Sequence, residues 1–279
     1  MAVDFKKDAH ILAVHGVQVG EDKDITSDDS IRKLVTKSLS NSHIDRKFEA
    51  SGFFYEDIND DAQKYYQLLS SAITKGKPLV GRALKLFIDV SGDVVTVAKN
   101  TSTAKKIRNK LRKQILESYN NGHQLVMVAH SLGTIYALDV INELIRNNNY
   151  FSGDDRTTWP VQGLVTMGSP LGLELDIAGL KIFEKRKISP IQNAEIEVLP
   201  WHNYFNRHDP IVSGNVFGKP IDLKGAKGPV EKRYGADTKK NQWLLQGHAV
   251  TSGNQWVRAH TAYWRNPKIG DQLVSMLWG

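Results

Sequence analysis

The chain carries 279 residues, 41% of them apolar, enough for one large domain with a substantial core, and its 37 basic against 30 acidic residues leave a net charge of +7. The absence of cysteine excludes a disulfide framework, a thiolate nucleophile and a cysteine-ligated zinc. No stretch offers the roughly 18 uninterrupted apolar residues of a membrane span; the best, residues 79–98, is broken by Arg82, Lys85, Asp89 and Asp93.

In chain order, the opening MAVDFKKDAH has no apolar core of signal-peptide length, so a soluble, cytoplasmic protein is expected. Residues 10–16, HILAVHG, read as a first strand ending in a turn, and residues 30–39 as a helix with Ile31, Leu34, Val35 and Leu39 on one side. Residues 52–57, GFFYED, offer a further strand, and residues 58–118 form a long, mostly helical stretch. Within it, six of the ten residues from Ala104 to Lys113 are basic. Ile107, Leu111 and Ile115 recur every four positions there, which makes the charges the outer face of a packed helix. Nucleic acid is therefore not expected as a partner, while peripheral contact with an anionic membrane stays open.

Residues 124–130, QLVMVAH, read as a strand. A helix follows over residues 134–145, with Ile135, Leu138, Ile141 and Ile145 on one face and a stop at the asparagines after Arg146. Residues 161–170 and 197–210 repeat the strand pattern. Residues 171–195 form a mixed apolar and basic excursion, residues 219–235 a glycine-rich basic loop expected to be exposed, and residues 271–278 the closing helix. Short, nearly unbroken apolar runs suit strands covered on both faces. The predicted architecture is α/β: one domain over 1–279, a mostly parallel central sheet with helices on both faces, and lid or cap segments within 58–118 and 171–195.

The chemistry concentrates where the 124–130 strand meets its helix, in VMVAHSLGT. A serine on so sharp a turn holds its hydroxyl out at the sheet edge, and the positions two before and two after it must be small; they are Ala129 and Gly133. The usual pattern has glycine at both. The bland alternative is that Ser131 only caps the helix. A serine hydroxyl needs a base to take its proton and an acid to orient that base, here in the order serine, acid, histidine. Asp209 in NRHDPIV ends an apolar run and is followed by Pro210, which is expected to end the strand, although Asp-Pro is also a common turn. His260 in VRAHTAYW, beside aromatic residues, is preferred as base over His248 in LQGHAVTSG, a Gly/Ser-rich stretch that reads as mobile. His202 and His208 precede the acid and are set aside. Two amides must meet the oxyanion: that of Leu132 at the helix start and that of Val17, turned by Gly16. Ser169 also stands at a strand end, but Pro170 follows and no helix is expected to begin there.

Taken together, LAVHGV, VMVAHSLGT, LVTMGSPLGL, NRHDPIV and AHTAYW make the chain resemble the α/β-hydrolase-fold serine hydrolases of the lipase and esterase kind over nearly its whole length. That resemblance implies a triad of Ser131, Asp209 and His260, and an oxyanion hole from Val17 and Leu132. It places His15, Gly16, His130, Ser169 and Leu171 against substrate and requires no metal or cofactor. The expected activity is hydrolysis of an apolar acyl ester, such as a lipid ester, through an acyl-enzyme. Two alternatives stand beside it: a membrane-associated phospholipase or lipid deacylase, and a non-catalytic protein of the same fold that binds lipid or a partner.

Overall fold

A computed structural model describes residues 9–15, 27–55, 102–147, 161–173, 176–177, 180–181, 184–191, 198–213, 227–251 and 256–279. Strand β1 (Ala9–Val14) leads to helix α1 (Ser27–Asn41), then β2 (Phe48–Phe53), α2 (Ser102–Asn120), β3 (Gln124–His130) and α3 (Gly133–Arg146). Next come β4 (Val161–Met167), a single 3₁₀ turn (Pro170–Gly172), two short strands β5 (Asp176–Ile177) and β6 (Leu180–Lys181), and β7 (Leu199–Phe205). The chain closes with α4 (Pro210–Ser213), α5 (Pro229–Lys240), β8 (Trp243–Ala249), α6 (Trp256–Thr261), a 3₁₀ turn (Ala262–Arg265) and α7 (Pro267–Trp278).

Six strands form one sheet in the order β2-β1-β3-β4-β7-β8, every neighbouring pair parallel. Side chains alternate across it. Leu12, Val14, Met127, Leu164 and Trp201 face one way, onto Ile107 and Leu111 of α2, Ile135 and Leu138 of α3 and Tyr234 of α5. Ile11, Ala13, Val126, Val128 and Val165 face the other, onto Ile31 and Val35 of α1 and Leu273 and Val274 of α7. Both faces are covered, which is why the central strands lack a polar alternation. The predicted α/β architecture with helices on both faces is what the chain adopts.

Particular boundaries differ. Strand β2 runs over Phe48–Phe53, four residues before the predicted stretch. Helix α7 starts at Pro267, because Asn266 accepts the amide of Lys268 at 3.1 Å and so begins the helix a turn early. The second half of the supposed exposed loop at 219–235 is the start of α5, whose Tyr234 is fully buried against Trp201. β8 carries His248, and its apolar run is only the three residues Trp243 to Leu245: as the last strand described, it is only intermittently buried.

Of the expected cover segments, residues 58–101 lie outside the described residues, and α2 is core-packed. Residues 184–191 form a strap tied to α3 and to the α5–β8 turn. Ser189 donates its amide to Asn142 Oδ1 at 2.6 Å, Arg186 pairs with Asp139 at 3.3 Å, Trp243 Nε1 donates to Ser189 O at 2.9 Å, and Ile191 donates to Asn241 O at 3.2 Å.

Candidate active site

In a doubly wound sheet the crevice lies at the carboxyl ends of the strands, where the strand order reverses. Here β1 and β3 are neighbours while the chain winds from them in opposite directions, so the reversal falls between His15 and Ser131. Ser131 is held in the left-handed region at φ +53°, a conformation that costs an ordinary residue about 1–2 kcal/mol. It is overdetermined. Its amide donates to Met167 O at 3.0 Å, while its carbonyl accepts from the Thr134 amide at 3.1 Å and the Thr134 hydroxyl at 2.7 Å. Ser169 extends that network: its Oγ lies 2.8 Å from Thr134 Oγ1 and accepts the Leu171 amide at 3.2 Å. With Thr134 already donating to Ser131 O, Ser169 must donate to Thr134.

Glycine at 133 is a spatial requirement, because a Cβ there would stand 2.6 Å from the carbonyl oxygens of both Val14 and His15. Ala129 pairs with Val14 and Thr166 in the middle of the sheet and is fully buried.

His260 Nε2 lies 3.0 Å from Ser131 Oγ, and its Nδ1 lies 2.9 and 3.0 Å from the two oxygens of Asp209. Asp209 has no solvent exposure. A carboxylate can only accept, so Nδ1 carries the ring proton and Nε2 is left to accept from the serine. Asp209 stands one tight turn beyond the end of β7, and Pro210, instead of ending the strand, opens α4. Asp209 caps that helix, accepting the Ile211 amide at 2.9 Å on Oδ1.

Sequence reading missed three groups here. Tyr263 donates its phenol to Asp209 Oδ2 at 2.8 Å and accepts the Asn206 amide at 2.8 Å. Burial, together with the carboxylate, pushes the Tyr263 phenol well above its ordinary range and keeps it a donor. Gly168, at φ +56°, leaves no room for a side chain: a Cβ would lie 2.9 Å from Tyr263, 3.0 Å from Asp209 and 3.1 Å from His260. Thr134 is the third. Only the aromatic run after His260 hinted at any of them.

Leu132 is the cap residue immediately before α3, at the helix end where backbone amides lack an intrahelical acceptor. Gly16 and Val17 lie outside the described residues. His15 is half-buried, stacked on Trp264 at 5.7 Å and 5°. His130 was placed against substrate, but its ring is buried behind His260, with Nε2 2.7 Å from the His260 carbonyl oxygen. Leu171 is likewise buried in the core beneath α3, and Ser169 is buried as the cap of a 3₁₀ turn that does begin at Pro170. His248 is fixed in a strand, 2.9 Å from His202 Nδ1 and stacked on Tyr204. Among the described residues no group of three or more histidines or carboxylates could hold a metal ion.

No family model and no curated protein sequence matches the chain. Solved structures do. TT1662 from Thermus thermophilus is 14% identical over 98% of this chain and 90% of that one, with a TM-score of 0.46. An α/β-superfamily protein from Xanthomonas campestris pv. campestris is 13% identical over 96% and 99%, at 0.33. A structure of the metagenome-derived lipolytic enzymes LipS and LipT is 9% identical over 96% and 93%, at 0.39. At these values no residue role or substrate passes to this chain.

Proposed function

We propose that this chain, whose fold is of the α/β-hydrolase type, is a serine hydrolase of carboxylic esters. The observation that carries the reading is the continuous line from Ser131 Oγ through both nitrogens of His260 to buried Asp209, with Ser131 held at positive φ.

Ser131 Oγ attacks the ester carbonyl carbon while His260 Nε2 takes its proton. The carbonyl oxygen becomes an oxyanion beside the Leu132 amide, with Val17 as the second donor; one such donor is worth about 3 kcal/mol. His260 then delivers the proton to the departing alkoxide as the C–O bond breaks, leaving the acyl group on Ser131. A water attacks that acyl group, loses its proton to Nε2, and releases the acid as Ser131 recovers its hydrogen. Asp209 keeps the tautomer and faces the charge on His260.

An apolar acyl ester is the favoured substrate on composition alone: in the excursion after β4, Leu171, Leu173, Ile188 and Ile191 are packed into the core, and the preference rests on the Leu, Ile and Phe of residues 174–183. Lys105 and Lys106, exposed on α2, support a peripheral contact with anionic lipid, and among the described residues no helix is long and apolar enough to cross a membrane. A fluorophosphonate probe and a chain-length series of nitrophenyl esters test the reading. Labelling and turnover are expected in the wild type and neither in Ser131→Ala. A wild type that takes no probe and turns over no ester ends the proposal in favour of a binding protein.

A further inference from the structure

We infer that His130 is a positioning residue of the reaction proposed above, acting through a hydrogen bond from its Nε2–H to the backbone carbonyl of His260. The inference rests on the serine-hydrolase reading and adds a residue to it. His130 is the last residue of β3 and the immediate neighbour of Ser131, whereas His260 sits 130 positions away on a helix of only six residues. One side chain therefore ties the strand that presents the nucleophile to the short helix that presents the base.

The geometry fixes what His130 contributes. Its Nε2 lies 2.7 Å from the His260 carbonyl oxygen, which can only accept, so Nε2 carries the hydrogen. Its Nδ1 is buried with no hydrogen-bond partner. An orphaned polar atom of this kind costs about 1–3 kcal/mol, and leucine or phenylalanine would fill the space without that cost. The donor at Nε2 is the property a hydrocarbon cannot supply. Around the ring stand His260 at 4.6 Å, Trp264 at 5.3 Å, and Tyr263 and His15 each at 5.9 Å between centroids. Burial, reinforced by His260 and His15, holds the His130 ring well below the usual histidine range. It thus stays neutral while its neighbour gains and gives up a proton. A second cation there would oppose protonation of the base.

What the bond protects is the 3.0 Å separation between His260 Nε2 and Ser131 Oγ. Asp209 fixes the imidazole at Nδ1 alone, which leaves the ring free to swing about that contact if the helix shifts. Fixing the carbonyl of the same residue removes that freedom. A misplacement of about 1 Å can cost on the order of a hundredfold in rate.

The test compares His130→Gln, whose amide N–H reaches where Nε2 stands, with His130→Leu and His130→Asn, which keep bulk or polarity but not the donor in place. Nitrophenyl ester turnover per titrated active site, KM and thermal midpoint are measured on each beside wild type and Ser131→Ala. The expected result is a fall in kcat of about ten- to a hundredfold in Leu and Asn with KM within about twofold, and recovery of most of it in Gln. If Leu does not fold, the Asn and Gln pair carries the comparison. Equal losses in Gln, Leu and Asn, or wild-type kcat in Leu or Asn, would overturn the inference while Ser131→Ala stays inactive. A wild type with no ester turnover and no fluorophosphonate labelling overturns the serine-hydrolase reading, and the inference with it.

Discussion

The phenol of Tyr263 donates to Asp209 Oδ2 at 2.8 Å and, through the same oxygen, accepts the Asn206 amide at 2.8 Å, so one side chain holds both the acid and the turn that carries it. Tyr263→Phe keeps the ring and removes both bonds. The expected outcome is a loss of about 2 kcal/mol of stability, since a bond to a charged group is broken and an amide is left buried without its acceptor. In the proposed reaction kcat should also fall on the order of tenfold, the equivalent of about 1.4 kcal/mol of lost orientation, with KM little changed. Urea denaturation and steady-state kinetics check the two parts separately. Unaltered turnover would leave Tyr263 as packing alone.

Gly168 lies against the same group: its φ is +56°, and a Cβ added there would stand only 3.0 Å from Asp209 Oδ2, so no side chain fits. Gly168→Ala is therefore expected to lose both stability and turnover, at least roughly tenfold in kcat, because the methyl displaces the Asp209–His260 pair and adds about 1 kcal/mol of backbone strain. Normal kinetics in a folded Gly168→Ala variant would show that the pair tolerates displacement.

Gly235 is the counterexample. It lies inside α5, and a Cβ there would meet nothing within 4 Å. Gly235→Ala should raise stability by about 0.5–1 kcal/mol, because alanine loses less backbone entropy in a helix. Kinetics should not change. A lower denaturation midpoint would mean that the position needs glycine for a contact not made by α5 itself.

These two glycines mark the limit of what sequence conveys. β1, β3, β4 and β7 are legible because burial on both faces writes an apolar run into each. β8 is not, since half its side chains are polar or exposed and its LLQGHA resembles a loop. Ser131, Asp209 and His260 are legible as candidates because the chemistry demands those residue types at strand ends in that order. Tyr263, Gly168 and Thr134 have no such signature: a tyrosine becomes a carboxylate's partner, and a glycine a spatial necessity, only through neighbours brought in from 41 to 95 positions away. His130 was legible as a residue beside the nucleophile, but the side of His260 it occupies was not.

Acid should weaken the fold. Burial lowers His10 and His202 to about 4, each from an ordinary value near 6.5. His10 is bonded at both ring nitrogens to the hydroxyls of Ser118 and Ser51, each at 2.7 Å. His202 shares one hydrogen with His248 across 2.9 Å, the rings head to head at 5.2 Å and 24°. The unfolded chain takes up these protons near pH 6.5 and the folded chain only near 4. Stability is therefore fully present above about 6.5, falls as pH drops through that window, and levels off below about 4. Urea midpoints measured from about pH 7.5 to 4.5, a range that covers most of the fall, should decline, and less steeply in a His10→Asn/His202→Asn variant. Equal slopes would assign the acid sensitivity to other groups.

The strap at 184–191 poses a last question, whether it moves as a cover or belongs to the frame. Asn142 answers it physically: its Oδ1 accepts the Ser189 amide at 2.6 Å, its carbonyl accepts the Ser189 hydroxyl at 3.2 Å, and its Nδ2 donates to Leu138 O at 2.9 Å. Trp243 closes the other side by donating to Ser189 O at 2.9 Å. A cover that opens would have to break the bonds to Ser189 at each cycle, at about 1–3 kcal/mol for each group left unpaired, while the Asn142–Leu138 bond inside α3 stays made. Asn142→Ala should consequently lower stability by about 1–3 kcal/mol and leave kcat and KM on short and long acyl esters unchanged. A shift in KM that grows with acyl length, without loss of stability, would instead make the strap part of the substrate's path.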